Sequence, residues 1–204
     1  MKLIKYITFF LLVLNSMSVF AQAEFVPKSG KNFPMRLLTI EPGIGLNPMP
    51  ISDLVVSNVL QWNISKRFSA ISYTSYAYNN VFLRKFNFIT TDYNYSLNQK
   101  FGVGVSIYSK HSMHTFSLLA GIKYDSYQET LDNPDIEKVS MSVKSLSPDA
   151  GLMYNLKKGR KKYFFSFRMY IPLYPYPIAN SSEWSLDGNM ANVTLEFGVG
   201  IRLK

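Results

Sequence analysis

Both histidines of the chain, His111 and His114, lie in the short segment KHSMHTFS. A histidine that hydrogen-bonds a serine hydroxyl can act as its general base, so Ser112 or Ser117 would suit a serine hydrolase. The segment offers no acid or amide on the same face to orient the imidazole. It also has the composition of a polar turn between two strands. We therefore predict a turn and no catalytic residues.

A second chemical candidate is the basic segment LKKGRKK, residues 156–162, in a chain of formal charge +9. Clustered lysine and arginine side chains bind nucleic-acid phosphates by releasing counterions. They also occur where a chain meets anionic lipid headgroups. Because the N-terminus described below directs export, we expect headgroups, and no nucleic acid, beside this segment.

The final segment, NVTLEFGVGIRLK, alternates strictly. Every second residue from Val193 to Leu203 is apolar, and Glu196, Arg202 and two glycines stand between them. A soluble sheet points its apolar face inward. A barrel in lipid points its apolar face outward and its polar face toward the lumen. The alternation in this one strand is compatible with either arrangement.

Other segments share this alternation, with charged residues opposite an apolar face. For a membrane barrel, the lumen-facing polar candidates are Glu41, Asp92, Lys123, Arg168, Glu196 and Arg202. The lipid-facing candidates are Val193, Leu195, Phe197, Val199, Ile201, Phe165 and Phe167. Such a lumen is either a polar channel or a plugged interior in which opposite charges pair, because unpaired buried charge is costly.

The elements that would position these residues are short period-2 segments, with no helix-period segment between them. We count nine: 37–46, 54–64, 68–78, 85–97, 101–109, 114–127, 139–155, 162–171 and 190–203. Bacterial barrels have an even number of strands. Ten result if SLSPD, 145–149, makes a hairpin within 139–155. Eight result if 37–46 is a plug or flanking strand.

The N-terminus, MKLIKYITFFLLVLNSMSVFAQA, has a basic start, an apolar run and a small-residue end at Ala21-Gln22-Ala23. This is the pattern of a cleaved signal peptide. We predict a signal peptide at 1–23, a flexible periplasmic segment at 24–35 and a barrel at 36–204. The chain has no cysteine, which excludes thiolate catalysis, cysteine metal sites and disulfides. We expect no cofactor and no metal.

The alternating segments of about ten residues, the turn-like segments ISKRF and SLNQKFG, and the final LEFGVGIRLK resemble small Gram-negative outer-membrane β-barrel proteins, in a Bacteroidetes-like style. The resemblance implies an all-β, antiparallel, transmembrane up-and-down barrel of 8 or 10 strands after a cleaved signal peptide. It also implies outer-membrane lipid, lipopolysaccharide and the barrel-assembly machinery as partners of a monomer.

The sequence thus predicts an integral outer-membrane barrel with a structural, surface-interaction or small-solute pore role. Two other classes remain open at this point. One is a membrane-embedded lipid-modifying hydrolase that uses His111 or His114. The other is a soluble secreted barrel that binds an apolar ligand, in which Val193, Leu195 and Phe197 would face a cavity and the charged residues would face water.

Overall fold

The structure, a computed structural model, describes residues 38–47, 53–78, 85–86, 89–109, 112–132, 135, 137–159, 162–174 and 193–203. The predicted signal peptide, the predicted segment 24–35 and His111 lie outside the described residues. The side chain of Asp92 does too, although its backbone belongs to a strand. No helix among the described residues is long and apolar enough to cross a membrane.

The described residues form strands in the following order: β1 Leu38–Asn47, β2 Asp53–Asn63, β3 Phe68–Tyr78, β4 Lys85–Phe86, β5 Ile89–Tyr108, β6 Ser112–Leu131, β7 Val139–Lys158, β8 Tyr163–Tyr174 and β9 Thr194–Leu203.

Eight of these strands close into one antiparallel barrel. The order around the barrel is β3-β2-β1-β9-β8-β7-β6-β5, and β5 pairs back with β3 from Phe68↔Val105 to Tyr78↔Tyr95. The two-residue β4 pairs only with the start of β5 and lies outside this circuit. Closure gives every barrel strand a partner on both sides, which removes the exposed edges that an open sheet would have.

The prediction of eight or ten strands is therefore settled at eight, and neither predicted route to an even number is observed. Residues 139–155 form part of one strand, β7, with no hairpin at 145–149. Residues 38–47 form a full barrel strand. The count is eight because β5 runs without a turn from the predicted segment 85–97 into 101–109.

Most of the described side chains alternate between the interior and the outer surface along the barrel strands, as the period of two requires. In β3 the odd-numbered residues from Ser69 to Ala77 are buried, and the even-numbered residues point outward. Leu119, at the centre of β6, is fully buried, whereas its neighbour Leu118 is 53% exposed. A large apolar surface thus surrounds the barrel from outside.

The two ends of the barrel differ in their connections. Three connections of three or four residues, 64–67, 109–111 and 159–162, join strands at one end, which we call the short-turn end. Gly159, with φ of 128°, supplies the left-handed residue that one of these turns needs. The opposite end, which we call the long-loop end, carries longer connections and all the extra length of β5, β6 and β7.

β7 explains a change of phase in the sequence. Apolar residues lie at odd positions near Val139 and at even positions near Leu152, which suggested a bulge or turn between them. The pairing of β7 with β6 has no register shift from Val139 to Lys158. The face of β7 that points inward within the barrel therefore carries both Val139, at the long-loop end, and Asp149, which is buried. Within the barrel, the even-numbered apolar residues of β7 near Leu152 occupy the outward-facing positions.

Candidate functional site: the barrel interior and its outer wall

The interior near the short-turn end holds a fully buried ion pair between Lys157 of β7 and Glu41 of β1. Glu41 also accepts hydrogen bonds from Thr39 Oγ1 and Asn155 Nδ2, both at 2.8 Å. Lys157 Nζ donates to Gln61 Oε1 at 2.6 Å. Polar partners thus surround both charges, which a buried pair requires if it is not to destabilise the fold.

A second pair lies higher in the barrel, between Arg168 of β8 and Glu196 of β9. Arg168 Nε donates to Glu196 Oε2 at 2.8 Å, and Arg168 Nη2 donates to Ser57 Oγ at 2.9 Å. Tyr73 OH donates to Glu196 Oε1 at 2.5 Å, and Ser57 Oγ donates to Oε2 at 2.6 Å. The carboxylate therefore connects strands from opposite sides of the barrel.

The backbone of β1 is shaped to receive Arg168. The ladder between β1 and β9 pairs Ile40 with Ile201 and resumes only at Gly43 and Gly198. Pro42, which has no N–H, lies in this gap. Arg168 Nη1 donates to the Glu41 carbonyl oxygen there at 2.6 Å. A Cβ at Gly43 would lie 1.8 Å from Arg168 Nη2, so only glycine leaves room for the guanidinium.

A third pair lies between Lys100 of β5 and Asp149 of β7, at 2.8 Å. Tyr170 OH donates to Asp149 Oδ1 at 2.6 Å. The Lys100 ammonium lies 4.3 Å from the centre of the Tyr170 ring and 5.3 Å from that of Tyr73, within cation–π range. The two rings stack at 5.9 Å. Through Tyr73 this cluster is continuous with Glu196.

Two further predicted lumen residues have separate partners. Lys123 pairs with Asp125 at 3.1 Å, and both side chains retain some exposure. Arg202 donates from Nη2 to the Gly159 carbonyl oxygen at 2.7 Å, and its guanidinium lies 4.4 Å from the centre of the Phe164 ring. Glu41, Arg168, Glu196 and Arg202 are thus placed inside the barrel, and Lys123 toward the long-loop end.

The interior is filled, because these pairs are packed among apolar side chains. Val59, Ile71, Leu119 and Met153 form a cluster with the two stacked tyrosines. Eight strands leave an interior that side chains can fill completely. Among the described residues, no group of three or more histidine, cysteine, aspartate and glutamate side chains could hold a metal ion. The arrangement is a closed, charge-matched core.

Sequence reasoning missed Lys100, Asp149 and Lys157, three of the six charges in the buried pairs. Each lies in a stretch that was assigned to a turn: Lys100 in SLNQKFG, Asp149 in SLSPD and Lys157 in the basic segment. The available signal was the phase of the flanking strand, because each residue continues the inward alternation. Tyr73 and Tyr170 were also missed, since aromatic residues were assigned to the outer face.

The outer wall carries the predicted lipid-facing residues. Phe165, Phe197 and Val199 are 71%, 66% and 50% exposed, respectively. Val193, Leu195, Ile201 and Phe167 lie on the same outward phase and are partly exposed. A soluble ligand carrier would require the reverse, with Glu196 in water, but Glu196 is 1% exposed inside the barrel.

Aromatic side chains lie toward both ends of the outer wall, and others, such as Phe101 and Phe197, lie between them. Toward the long-loop end, Tyr76, Tyr95 and Tyr124 follow one another around the barrel, with ring centres 6.0 and 6.3 Å apart. Toward the short-turn end, Trp62 and Phe68 are 53% and 57% exposed. Aromatic residues near the edges of an apolar band are typical of the membrane–water interfaces of barrels in lipid, and we call the three tyrosines the upper aromatic belt.

His114 belongs to the outer wall near the short-turn end, and Ser117 faces the interior, so these two residues do not meet. Ser112 Oγ lies 3.0 Å from His114 Nε2, and Tyr154 OH lies 2.9 Å from His114 Nδ1. The structure thus brings a serine and a histidine together and adds Tyr154, which the sequence did not indicate. A phenol carries no charge that would stabilise an imidazolium, unlike the aspartate of a catalytic triad.

Neither protein-family models nor the curated proteins searched gave a match to this sequence. The solved structures that are similar to it include the following three. The N-terminal β-barrel domain of Pseudomonas aeruginosa OprF is 10% identical over 80% of this chain and 95% of its own, with a TM-score of 0.45. Neisserial surface protein A is 8% identical over 81% and 96%, with a TM-score of 0.48. Ail, the attachment invasion locus protein of Yersinia pestis, is 14% identical over 81% and 96%, with a TM-score of 0.45.

Proposed function

We propose that this chain is an integral outer-membrane β-barrel protein with a closed interior, whose role is structural or lies in interactions at the outer surface. One observation carries the proposal: ion pairs fill the inside of the barrel, and a mostly apolar wall covers the outside. In water this arrangement would expose a large apolar surface. In a bilayer the apolar wall contacts the lipid chains, and the closed sheet pairs the backbone N–H and C=O groups.

Export to the outer membrane completes the proposal. The predicted signal peptide at 1–23 would direct the chain out of the cytoplasm, and the barrel-assembly machinery of a Gram-negative cell, here of Bacteroidetes type, would insert residues 36–204. Lipid and lipopolysaccharide would then contact the outer wall. The closed, charge-matched core favours this role over that of a solute pore, and the uncharged Tyr154 beside His114 favours it over a lipid hydrolase.

The orientation follows from the ends of the barrel. Membrane barrels have short periplasmic turns and longer extracellular loops, so the short-turn end is assigned to the periplasm. β5, β6 and β7 have 20 residues each, against the 9–11 residues that usually span a bilayer. Their extra residues would raise a small sheet about 25 Å above the rim, at 3.3 Å per residue and a tilt near 40°. This sheet is the proposed surface for outside contacts.

Cell fractionation followed by electrophoresis of heated and unheated samples tests the membrane assignment. We expect an outer-membrane band whose mobility changes on heating, because a closed barrel resists unfolding by detergent until it is heated. A soluble periplasmic band without this shift would contradict the proposal.

Single-cysteine labelling tests the orientation, and the chain suits it because it has no cysteine of its own. Lys138→Cys lies in the exposed connection at the long-loop end, and Lys66→Cys lies in an exposed short turn. A membrane-impermeant maleimide should label Lys138→Cys in intact cells, and Lys66→Cys only after the outer membrane is opened. The reverse result would invert the orientation and move the sheet to the periplasm.

A further inference from the structure

A cluster of uncharged polar residues lies on the outer wall on the adjacent strands β2, β3 and β5, apart from Ser112 and His114 near the short-turn end. Its residues are Asn58, Ser72, Thr74 and Gln99. All four have outward phase, and Thr74 lies in register with both Asn58 and Gln99. By contrast, the outward residues of β8 and β9 from Tyr163 to Leu173 and from Val193 to Leu203 are apolar throughout. We call the four residues the polar patch.

The polar patch lies within the apolar band and below the upper aromatic belt. On β3, Ser72 and Thr74 stand between outward-facing Phe68 and Tyr76. Ser72 is four residues from Tyr76 and Thr74 is two, which corresponds to depths of about 10 Å and about 5 Å below that ring at the usual rise and tilt. At these depths the acyl chains of a lipid offer no hydrogen-bond partner, so headgroups do not explain the patch.

Internal bonds meet only part of the hydrogen-bonding capacity of the patch. Thr74 Oγ1 donates to Gln99 Oε1 at 2.6 Å, and Gln99 Nε2 donates to Ser72 Oγ at 3.0 Å. These two bonds use one of the two amide hydrogens of Gln99 and one of its carbonyl lone pairs. Asn58 Oδ1, which is itself buried within the chain, has no hydrogen-bond partner among the described residues. Polar groups left unsatisfied in hydrocarbon are costly.

The same region is a shallow trough. Ala70, Ser72 and Thr74 are small, and in register Ser72 lies between the larger Leu60 of β2 and Phe101 of β5. Leu60 is 38% and Phe101 is 61% exposed, so both project as ridges beside the trough. In membranes, small residues that permit close approach and uncharged polar residues that bond across the contact are the features of protein–protein interfaces.

We propose that a second copy of this chain packs on the polar patch, so that the barrel is a two-fold symmetric dimer in the membrane. Amide and hydroxyl groups both donate and accept, and none of the four residues is charged, so the patch is complementary to itself without repulsion. A two-fold interface requires this property, because the same surface serves both halves. The proposal replaces the monomer that the sequence suggested and rests on the proposed function, since the wall must first lie in lipid.

Cross-linking in isolated outer-membrane fragments tests the dimer. Thr74→Cys places a thiol in the patch, and Val199→Cys places one on the apolar wall away from it; both positions are exposed. With a short bis-maleimide we expect about tenfold more cross-linked dimer from Thr74→Cys than from Val199→Cys. Adding Asn58→Leu and Gln99→Leu to Thr74→Cys should lower the dimer yield about tenfold, which corresponds to about 1.4 kcal/mol of association free energy.

Each other outcome overturns the dimer. Equal, low yields at both positions would show a monomer, and a Thr74→Cys product that mass spectrometry assigns to a different protein would show a foreign partner. An unchanged yield after the leucine substitutions would show contact without a role for the polar groups. Only variants that reach the outer membrane and shift on heating are scored, so a failure of the proposed function appears there, before cross-linking.

Discussion

Arg168 and Glu196 face each other in register across β8 and β9 and form an ion pair with each side chain 1% exposed. The pair is part of a larger set, because Arg168 also holds the Glu41 carbonyl and Glu196 also accepts from Tyr73. One ion pair thereby connects β1, β3, β8 and β9 through the interior, in addition to the backbone ladders. Removal of this ion pair should therefore lower the stability of the whole barrel.

Glu196→Gln should destabilise the folded barrel by about 3–5 kcal/mol, because it leaves the buried Arg168 without its counter-charge. Unfolding in denaturant, in detergent or lipid, measures the change. The double variant Arg168→Met with Glu196→Gln should lose less than the sum of the two single variants, since the charges are then removed together. Glu137→Gln, at an exposed position, is the control and should change the stability little. Additive losses would contradict the coupling.

Phe197→Arg should impair insertion and lower the stability by about 2–4 kcal/mol, the usual cost of a charge on the lipid face near the bilayer centre. Phe197→Leu at the same site keeps the surface apolar and is the matched control. The yield of heat-modifiable protein in the outer membrane provides the measurement. If arginine were as well tolerated as leucine, the wall would not face lipid.

The purified protein should give no sustained ion current in a planar bilayer, because side chains and matched charges fill its interior. Removing Glu41 and Lys157 together by alanine substitution deletes one matched pair without leaving a lone charge. This variant should conduct small ions more readily than the native chain. A large, steady current from the native chain would show that the interior opens and would restore the pore interpretation.

The chain should not hydrolyse phospholipid esters, although Ser112 and His114 are hydrogen-bonded on the outer wall. Release of a fluorescent acyl chain from labelled phospholipid vesicles is the measurement, with Ser112→Ala as the control. Equal, background rates are expected from both chains. A native rate above background that Ser112→Ala abolishes would establish the hydrolase alternative.

The sequence predicted the faces of the strands better than their ends. Alternation alone placed Glu196 and Arg168 opposite an apolar face, because a period of two is a local property of each strand. The predicted strand ends were wrong at SLNQKFG and SLSPD, which contain serine, proline, asparagine and lysine. A barrel interior selects small and polar residues, and so does a turn. Composition therefore cannot separate the inner face of a long strand from a loop.

The partner of each buried charge could not be predicted from the sequence, for a different reason. Lys157 and Glu41 are more than a hundred residues apart and meet only because β1 and β7 face the same interior. Their pairing depends on strand number, stagger and closure, and one wrong segment boundary changes all three. The predicted phase was sufficient to expect pairs of charges, but the identity of each pair required the closed barrel.

The ladder between β1 and β9 affects the rate at which the barrel folds. It joins the first described strand to the last, so its formation brings together residues roughly 150 positions apart, at an entropic cost that rises slowly with that separation. Until that step, one edge of β1 and one of β9 stay open to wrong partners, and Arg168 lacks the Glu41 carbonyl. Folding dominated by such distant contacts is slow. Closure of this last seam should therefore be the slow step, and a catalyst of assembly would act there.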